Sequence, residues 1–339
     1  MRAGVIGFGV GEQHAHAYLA DTRCRLVAIC DIDQAKREIA RNIFPDVEIM
    51  GDPFALLSRS DIDVVSIASP DDTHYKQIIA AIDTGKHIFV EKPVCLSWDE
   101  LLEIHGRLKR QPHLKFSSNL ILRMSPRFQD IHARVQSGEI GQPYYLEADY
   151  CYGRIHKIID GWRGRISNYS VMLGGGVHVV DLLLWITGRR VIEVAAFGNN
   201  ICTRDTPFGL DDLTVAILRF EDGQVAKVAA NFGSMTPHFH RLLVYGTNGT
   251  VENDMAVARL WKSRDAQVPP QLLDAPYPGV LKGALIRNFI DAIIDGAQLA
   301  VSQEAVFRCM EVCFAIDSAK ATGKVTAVNC IDSHCETLS

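Results

Sequence analysis

The chain has 339 residues, long enough for two domains with separate cores, and its 47% hydrophobic and 22% charged content is that of a globular enzyme or binding protein. A formal net charge of -5 without a dense Lys/Arg cluster argues against nucleic acid or anionic lipid as partner, so neither a nucleic-acid nor a membrane role is expected. Nine cysteines with no C-x-x-C pair indicate neither a metal site nor a disulfide framework, and no apolar run reaches the roughly 18 residues of a membrane span.

Met1 runs straight into a strand at Gly4-Val5-Ile6 without a signal-peptide core, so a cytoplasmic location is expected. A helix near His14–Ala20 follows, then strands at Leu26–Cys30, Val64–Ala68 and His87–Val90, with an amphipathic segment over Thr73–Asp83. Continuously apolar strands separated by helices predict a parallel sheet covered on both faces. The first strand ends in Gly7-Phe8-Gly9-Val10-Gly11-Glu12, one residue short of G-x-G-x-x-G because Glu12 stands at the third-glycine place. In this strand-to-helix setting Gly7, Gly9, Val10 and Gly11 are expected to let the backbone approach a pyrophosphate at a helix N-terminus.

Asp31 closes the second strand, where a carboxylate would accept hydrogen bonds from an adenosine ribose and repel a 2′-phosphate. Ile32 and Asp33 supply no arginine to receive that phosphate, so NAD is expected ahead of NADP. Asp31 could also serve as N-cap for the segment beginning at Gln34. Ser69, Pro70 and His74, in the turn that opens the Thr73 segment, are assigned to the cofactor side; for His74 a plain place at the helix start stays open. His87–Val90 then delivers Glu91-Lys92-Pro93 to the carboxyl end of a buried strand, where ligands of doubly wound sheets bind. Lys92 would face whatever the glycine turn holds, the alternative being a surface lysine at a strand end.

Beyond about residue 120 the pattern changes to alternating strands at Tyr144–Tyr152, Thr214–Phe220, Gln224–Ala230 and His240–Tyr245, with a hairpin turn over Phe220–Gln224. Gly174-Gly175-Gly176 opens a largely apolar helix closed by Gly188, in which His178 and Asp181 share one face. His178 is either a satisfied core histidine or a proton acceptor. The region from Tyr144 to Tyr169 is dense in aromatic and cationic groups, among them Tyr152, Arg154, Trp162 and Arg163. Aromatic faces suit pyranose rings and guanidinium groups suit phosphate or carboxylate, although an exposed loop of solvated charges has the same composition. Leu281–Ile293 and Glu304–Lys320 have helical spacing and pack on the second sheet or cross back to the first domain, and residues 332–339 read as a frayed tail.

Five segments in order along nearly the whole chain resemble the glucose-fructose oxidoreductase, inositol dehydrogenase and MocA (Gfo/Idh/MocA) family: Asp63–Pro70, Gly85–Pro93, Asn119 with Arg123 and Pro126, Gly174–Asp181, and Tyr245–Thr250. The resemblance implies an α/β protein, with a doubly wound Rossmann sheet over 1–120 and a substrate-binding and oligomerisation domain over 121–339, built on a large open, mostly antiparallel sheet. It also implies a homodimer or homotetramer formed through that sheet, and a cis peptide before Pro93. Glu91, Lys92 and Asn119 fall on the cofactor side, Lys92 and His178 become the catalytic pair, and Lys92, Arg123, Tyr152, Arg154, Trp162, Arg163 and His178 the substrate contacts. The chain departs from the family at Gly174, where an Asp usually stands four residues before the histidine; Asp181 is a candidate to orient the ring instead, or a buried structural partner.

The activity implied is NAD-dependent oxidation of a secondary hydroxyl of a sugar or sugar derivative, most sharply C3 of a sugar nucleotide such as UDP-N-acetylglucosamine. A free sugar, inositol or uronic acid is the alternative. From another class, a dinucleotide-binding sensor or co-repressor without turnover remains open.

Overall fold

The computed structural model describes residues 1–280 and 283–332, so most of the expected tail lies outside the described residues. In chain order the first part contains β1 (Arg2–Ile6), α1 (Gly11–Leu19), β2 (Arg25–Cys30), α2 (Gln34–Ile43), β3 (Glu48–Met50) and α3 (Pro53–Leu57). There follow β4 (Val64–Ile67), α4 (His74–Asp83), β5 (His87–Val90), α5 (Trp98–Lys109) and β6 (Phe116–Ser118). The six strands form a parallel sheet in the order β3-β2-β1-β4-β5-β6. Every residue of β4 is buried, as expected for strands covered by helices on both faces. The order reverses between β1 and β4, so the turns that follow these two strands flank the switch point at which such sheets bind ligands.

Local chemistry explains where the helices begin. Ser97 Oγ accepts the Glu100 N–H at 3.3 Å while Glu100 Oε2 accepts the Leu96 N–H at 2.9 Å, a reciprocal cap that starts α5. Asp33 caps α2 by accepting the Ala35 N–H at 2.9 Å; the cap that Asp31 might have supplied therefore belongs to its neighbour.

The second part contains α6 (Pro126–Gln136), β7 (Pro143–Cys151), α7 (His156–Ile159), α8 (Val177–Thr187), β8 (Val191–Asn199), β9 (Leu213–Phe220), β10 (Val225–Asn231) and β11 (Phe239–Gly246). It continues with β12 (Thr250–Asn253), β13 (Ala258–Trp261), β14 (Gln271–Leu273), α9 (Ala284–Ile294), α10 (Gln303–Thr322) and β15 (Thr326–Ala327). Its nine strands run β14-β13-β12-β11-β7-β10-β9-β8-β15, antiparallel except where β10 meets β7. The expected hairpin joins β9 to β10 with Gly223 at φ 89°, and α8 ends at Gly188 with φ 63°, a left-handed cap that glycine adopts without a Cβ penalty.

The chain divides into two units, one formed by Met1–Asn119 with the stretch from α9 to Phe307, the other by Leu120–Val280 with the chain from Arg308 onward. The range 121–339 is thus interrupted by a segment that packs with the first unit. Phe289 of α9 meets Phe89 of β5 at 5.6 Å between ring centroids, Phe307 stacks on Phe116 of β6 at 5.9 Å, and Ser117 Oγ donates to the Val301 carbonyl at 2.9 Å. Burial of these rings, with a buried hydroxyl that needs a partner, draws the segment back onto the parallel sheet.

Candidate active site

The turn after β1 is shaped for close backbone approach. Gly7 has φ 90°, and a Cβ there would lie 2.3 Å from the Ala68 carbonyl oxygen, so this turn and the one after β4 touch through glycine. At Gly9 a Cβ would meet nothing within 4 Å, which leaves the outer side of the turn open. Gly11 opens α1, and its Cβ would lie 3.0 Å from Val5 Cγ1 and 3.3 Å from Ala68 Cβ. The third glycine of the motif, one place early in sequence, therefore allows the tight helix-to-strand packing the motif requires. Val10, between them, points an exposed side chain outward.

Asp31 Oδ2 accepts the Phe8 N–H of this turn at 2.6 Å and Oδ1 accepts the Asp33 N–H at 2.8 Å, so the acid at the end of β2 also fixes the glycine turn. Cations return to it from α2: Lys36 Nζ is 3.6 Å from Oδ2, and Arg37 Nη1 donates to the carbonyls of Asp31 and Ile32, both at 2.8 Å. Positions 32 and 33 supply no arginine, as expected, but Lys36 and Arg37 bring cations to Asp31 from α2. An open glycine cradle at a helix N-terminus with a fixed carboxylate on the next strand fits a dinucleotide.

Around the neighbouring turns, Ser69 Oγ donates to Gln77 Oε1 at 2.7 Å and accepts from Thr73 Oγ1 at 2.8 Å, with Pro70 leading into a short 3-10 turn. His74 is fully buried: Nδ1 lies 2.7 Å from the Pro93 carbonyl and Nε2 2.9 Å from the Ser69 carbonyl. Both nitrogens brace the turns after β4 and β5, which leaves none for the cofactor contact expected of this residue.

The Lys92–Pro93 peptide is cis, and Lys92 is half-buried at the end of β5. Beside it Glu91 Oε1 accepts from Asn119 Nδ2 at 2.6 Å and lies 3.2 Å from His14 Nε2. Burial alone would raise the Glu91 carboxyl, but hydrogen bonding to His14, the charges of His14 and Lys92, and the Asn119 amide together hold it below the usual carboxylate range. His14 was read only as part of a helix; its place in a helix otherwise packed by Ala15 and Tyr18 gave no separate signal.

In the second unit the approach to His178 is a turn of π-helix over Met172–Gly176, the kind of local widening that recurs at functional sites. Two of its glycines are held against aromatic rings and the third against a methionine. A Cβ on Gly174 would lie 2.0 Å from Tyr169 Oη, one on Gly175 2.4 Å from Tyr150 Cε1, and one on Gly176 2.3 Å from Met172 Sδ. His178 itself is 8% exposed, with its ring 6.0 Å from Tyr150 and 6.1 Å from His240 between centroids.

Asp181 does not serve His178. It is 1% exposed and takes a bidentate grip from Arg123, with Nη2 at 2.6 Å and Nε at 2.9 Å. Burial raises the Asp181 carboxyl, opposed by the Arg123 charge and its hydrogen bonds. Arg123, expected at the substrate, thus forms a buried ion pair, with the Trp185 ring 5.8 Å from its guanidinium carbon. Tyr152 stacks beside Tyr150 at 5.8 Å; Arg154 lies over the Tyr152 ring at 5.0 Å, and Arg163 over Trp162 at 4.4 Å.

The sequence matches the family description "Oxidoreductase family, NAD-binding Rossmann fold" over residues 1–118 and "GFO/IDH/MocA C-terminal domain" over residues 128–252. The chain belongs to the GFO/IDH/MocA oxidoreductase family. It is 31% identical over 238 residues to the UDP-N-acetylglucosamine 3-dehydrogenase of Acidithiobacillus ferrooxidans, covering 68% of this chain and 67% of that one. It is 26% identical over 288 residues to an inositol 2-dehydrogenase of Acidothermus cellulolyticus, covering 78% and 80%. Among solved structures, the myo-inositol 2-dehydrogenase of Lactobacillus plantarum shares the fold with a TM-score of 0.83 at 22% identity, over 97% of this chain and 99% of that one.

The first unit is thus the NAD-binding Rossmann fold of a GFO/IDH/MocA oxidoreductase. In the second the phenol of Tyr169 fills the space at Gly174, and a histidine pair, His238 and His240, meets Tyr150 at 5.1 Å and 5.3 Å. The reading of β11 as a plain strand missed them. Period-two alternation, which sets His240 beside Leu242 and Val244 on the buried face, was the available signal.

Proposed function

We propose that the protein is an NAD-dependent dehydrogenase of a secondary hydroxyl on a sugar or sugar derivative, with C3 of a sugar nucleotide such as UDP-N-acetylglucosamine as the foremost substrate. The observation that carries this reading is His178, held against an aromatic wall of Tyr150, Tyr152 and Phe232 in a family whose NAD-binding fold forms the first unit. Flat aromatic faces receive the apolar faces of pyranose rings. Arg154 and Arg163 beside that wall, together with the 31% identical relative, favour a substrate bearing phosphate.

In this mechanism His178 accepts the hydroxyl proton and the Lys92 ammonium stabilises the alkoxide character that develops on the oxygen. NAD, when bound, supplies the acceptor for the carbinol hydride. Gly7, Gly9, Val10 and Gly11 would hold the pyrophosphate, Asp31 the ribose, and Ser69, Pro70, Glu91 and Asn119 would shape the cofactor side around Lys92. NAD is favoured over NADP because the Asp31 carboxylate repels a 2′-phosphate; Lys36 at 3.6 Å weakens that repulsion without removing it.

The test is reduced-nicotinamide absorbance with NAD and NADP in parallel against UDP-sugars, free hexoses, inositols and uronic acids. Turnover of UDP-N-acetylglucosamine is expected, with His178→Ala slower by about 10²–10⁴-fold and Lys92→Ala by a similar factor, both folded by circular dichroism. Near-normal turnover in His178→Ala would remove it from the mechanism. A free inositol as sole substrate, the second reading favoured by the inositol dehydrogenase relatives, would take Arg154 and Arg163 out of a phosphate role. NAD bound without turnover on the whole panel would support a sensor.

Self-association through the open face of the second sheet belongs to the same reading. That face presents Phe197, 78% exposed, and Ile217 on neighbouring strands. Sedimentation equilibrium should show a dimer or tetramer that Phe197→Glu weakens; a wild-type monomer at micromolar concentration would refute it.

A further inference from the structure

His240 stands directly across the β7–β11 pair from Tyr150, and its ring centroid is 6.1 Å from that of His178. Tyr277 fixes its protonation pattern. The Tyr277 hydroxyl oxygen accepts the His240 backbone N–H at 2.9 Å and lies 2.8 Å from His240 Nδ1. With the amide proton already directed at that oxygen, the hydroxyl's own proton has no acceptor among the described residues except Nδ1. Nδ1 therefore accepts, and the proton of the neutral ring sits on Nε2.

The surroundings hold this state. Burial, with the charges of His238 and Arg154, pushes His240 down to about 3, and burial pushes the Tyr277 hydroxyl up to about 12, so donor and acceptor keep their roles across the physiological range. The groups that face the ring are Tyr150 at 5.3 Å, His238 at 4.8 Å, His178 and Tyr277, none of them a carboxylate. The backbone is pinned as well: Asn253 Nδ2 donates to the His240 carbonyl at 2.9 Å, and Arg127 Nη1 reaches Asn253 Oδ1 at 3.4 Å. Among the described residues Nε2 has no hydrogen-bond partner.

We propose that His240 is a substrate-specificity residue, a fixed neutral Nε2–H donor that binds an oxygen of the substrate next to the hydroxyl served by His178. The proposal rests on the dehydrogenase reading above. Two imidazoles with centroids 6.1 Å apart can each hydrogen-bond one of two vicinal oxygens of a polyol, at about 2.8–3.0 Å each. A neutral donor selects a hydroxyl or ether oxygen there without favouring an anion, so the site recognises a vicinal oxygen pair and any charged part of the substrate binds elsewhere. Tyr277 is a positioning residue that acts through Nδ1.

The first arm of the test needs no turnover: long-range 1H–15N correlation on the ¹⁵N-histidine-labelled full chain with NAD, from pH 5.5 to 8.5, with His240 assigned by its loss in His240→Gln. The expected result is an Nε2–H tautomer that does not titrate, and a mixture of tautomers in Tyr277→Phe. An Nδ1–H ring, or one that titrates in this range, overturns the proposal. The second arm uses the substrate found in the panel. His240→Leu should raise KM about tenfold with kcat changed less than about threefold, His240→Gln, whose amide nitrogen reaches the Nε2 position, should recover most of that loss, and the deoxy substrate lacking the neighbouring oxygen should lose its discrimination between wild type and His240→Leu. Equal KM in the Leu and Gln variants overturns the role. Should His240→Leu fail to fold, Tyr277→Phe replaces it, with a smaller rise in KM expected and an unchanged KM counting against the proposal. Absence of any substrate defeats the dehydrogenase reading and the specificity role with it, while the tautomer result still stands or falls by itself.

Discussion

Gly174→Ala should destabilise the protein by about 1–3 kcal/mol, an overpacking cost set chiefly by Tyr169, which supplies the three nearest atoms. The added carbon would lie 2.0 Å from Tyr169 Oη, 2.5 Å from Cζ and 3.0 Å from Cε2, where non-bonded heavy atoms need about 3.5–4.0 Å. The phenol would have to retreat by roughly 1.5–2 Å at its oxygen. It is 5% exposed, with Phe208 at 6.1 Å and Phe232 at 6.3 Å, so its retreat displaces two more rings. Tyr169→Phe removes only the nearest of the three contacts and should relieve part of the cost. Tyr169→Ala removes all three, and although it opens a cavity worth about 3–5 kcal/mol, Gly174→Ala in that background should be close to neutral or slightly favourable, since alanine is the better helix former. Equilibrium urea unfolding followed by far-UV circular dichroism on the four-member cycle gives the coupling, expected at about 1–3 kcal/mol with unchanged m values. A Gly174→Ala protein within about 0.5 kcal/mol of wild type, or an equal cost in both backgrounds, would refute the reasoning.

Two further outcomes follow from buried charge. Arg123→Leu should cost about 3–5 kcal/mol because it strands the Asp181 carboxylate, whereas Arg123→Leu with Asp181→Leu should cost less than the single change; urea unfolding in which the double costs the sum of the two singles would count against a buried pair. Glu91 is held below the ordinary carboxylate range, so folding favours its anion: that contribution is present above about pH 4.5 and fades as pH falls through the depressed folded value. Thermal midpoints should accordingly fall less steeply for Glu91→Gln than for wild type below pH 4.5, and parallel curves would show that Glu91 is not the group responsible.

The Rossmann half was legible because its strands are short apolar runs and its turns are punctuated by glycine, proline and aspartate. The parts that escaped are those without such a period. β3 has three residues, none of them buried, and β6 has three, two of them serines. Asp31 and Asp33 look alike as caps; only the hydrogen bonds to Phe8 and Ala35 distinguish the acid that fixes the glycine turn from the one that starts α2. The return of Leu285, Phe289 and Val301 to the first unit depends on apolar surface created by strands some two hundred residues earlier, which local spacing does not encode. His178 was singled out by the family resemblance rather than by local spacing, and of the two readings of Asp181, orienter of that ring or buried structural partner, the second describes it: Arg123, its partner, lies 58 residues away in sequence, beyond what helical proximity encodes.

The charges of the second unit connect these local results to the choice of substrate. Its one carboxylate within a helical turn of His178, Asp181, is matched by Arg123. Position 174 is closed by the Tyr169 phenol, and burial keeps His240 neutral. Arg154 and Arg163 both act on Tyr150, the residue that meets His178, and Arg154 acts on His240 as well. Tyr150 and His240 therefore lie in the field of guanidinium charge, in a medium that screens it less than water does. A neutral polyol gains nothing from such a field. A sugar joined to a phosphate does, and that asymmetry is why the sugar-nucleotide reading stands ahead of the free inositol in the order of tests.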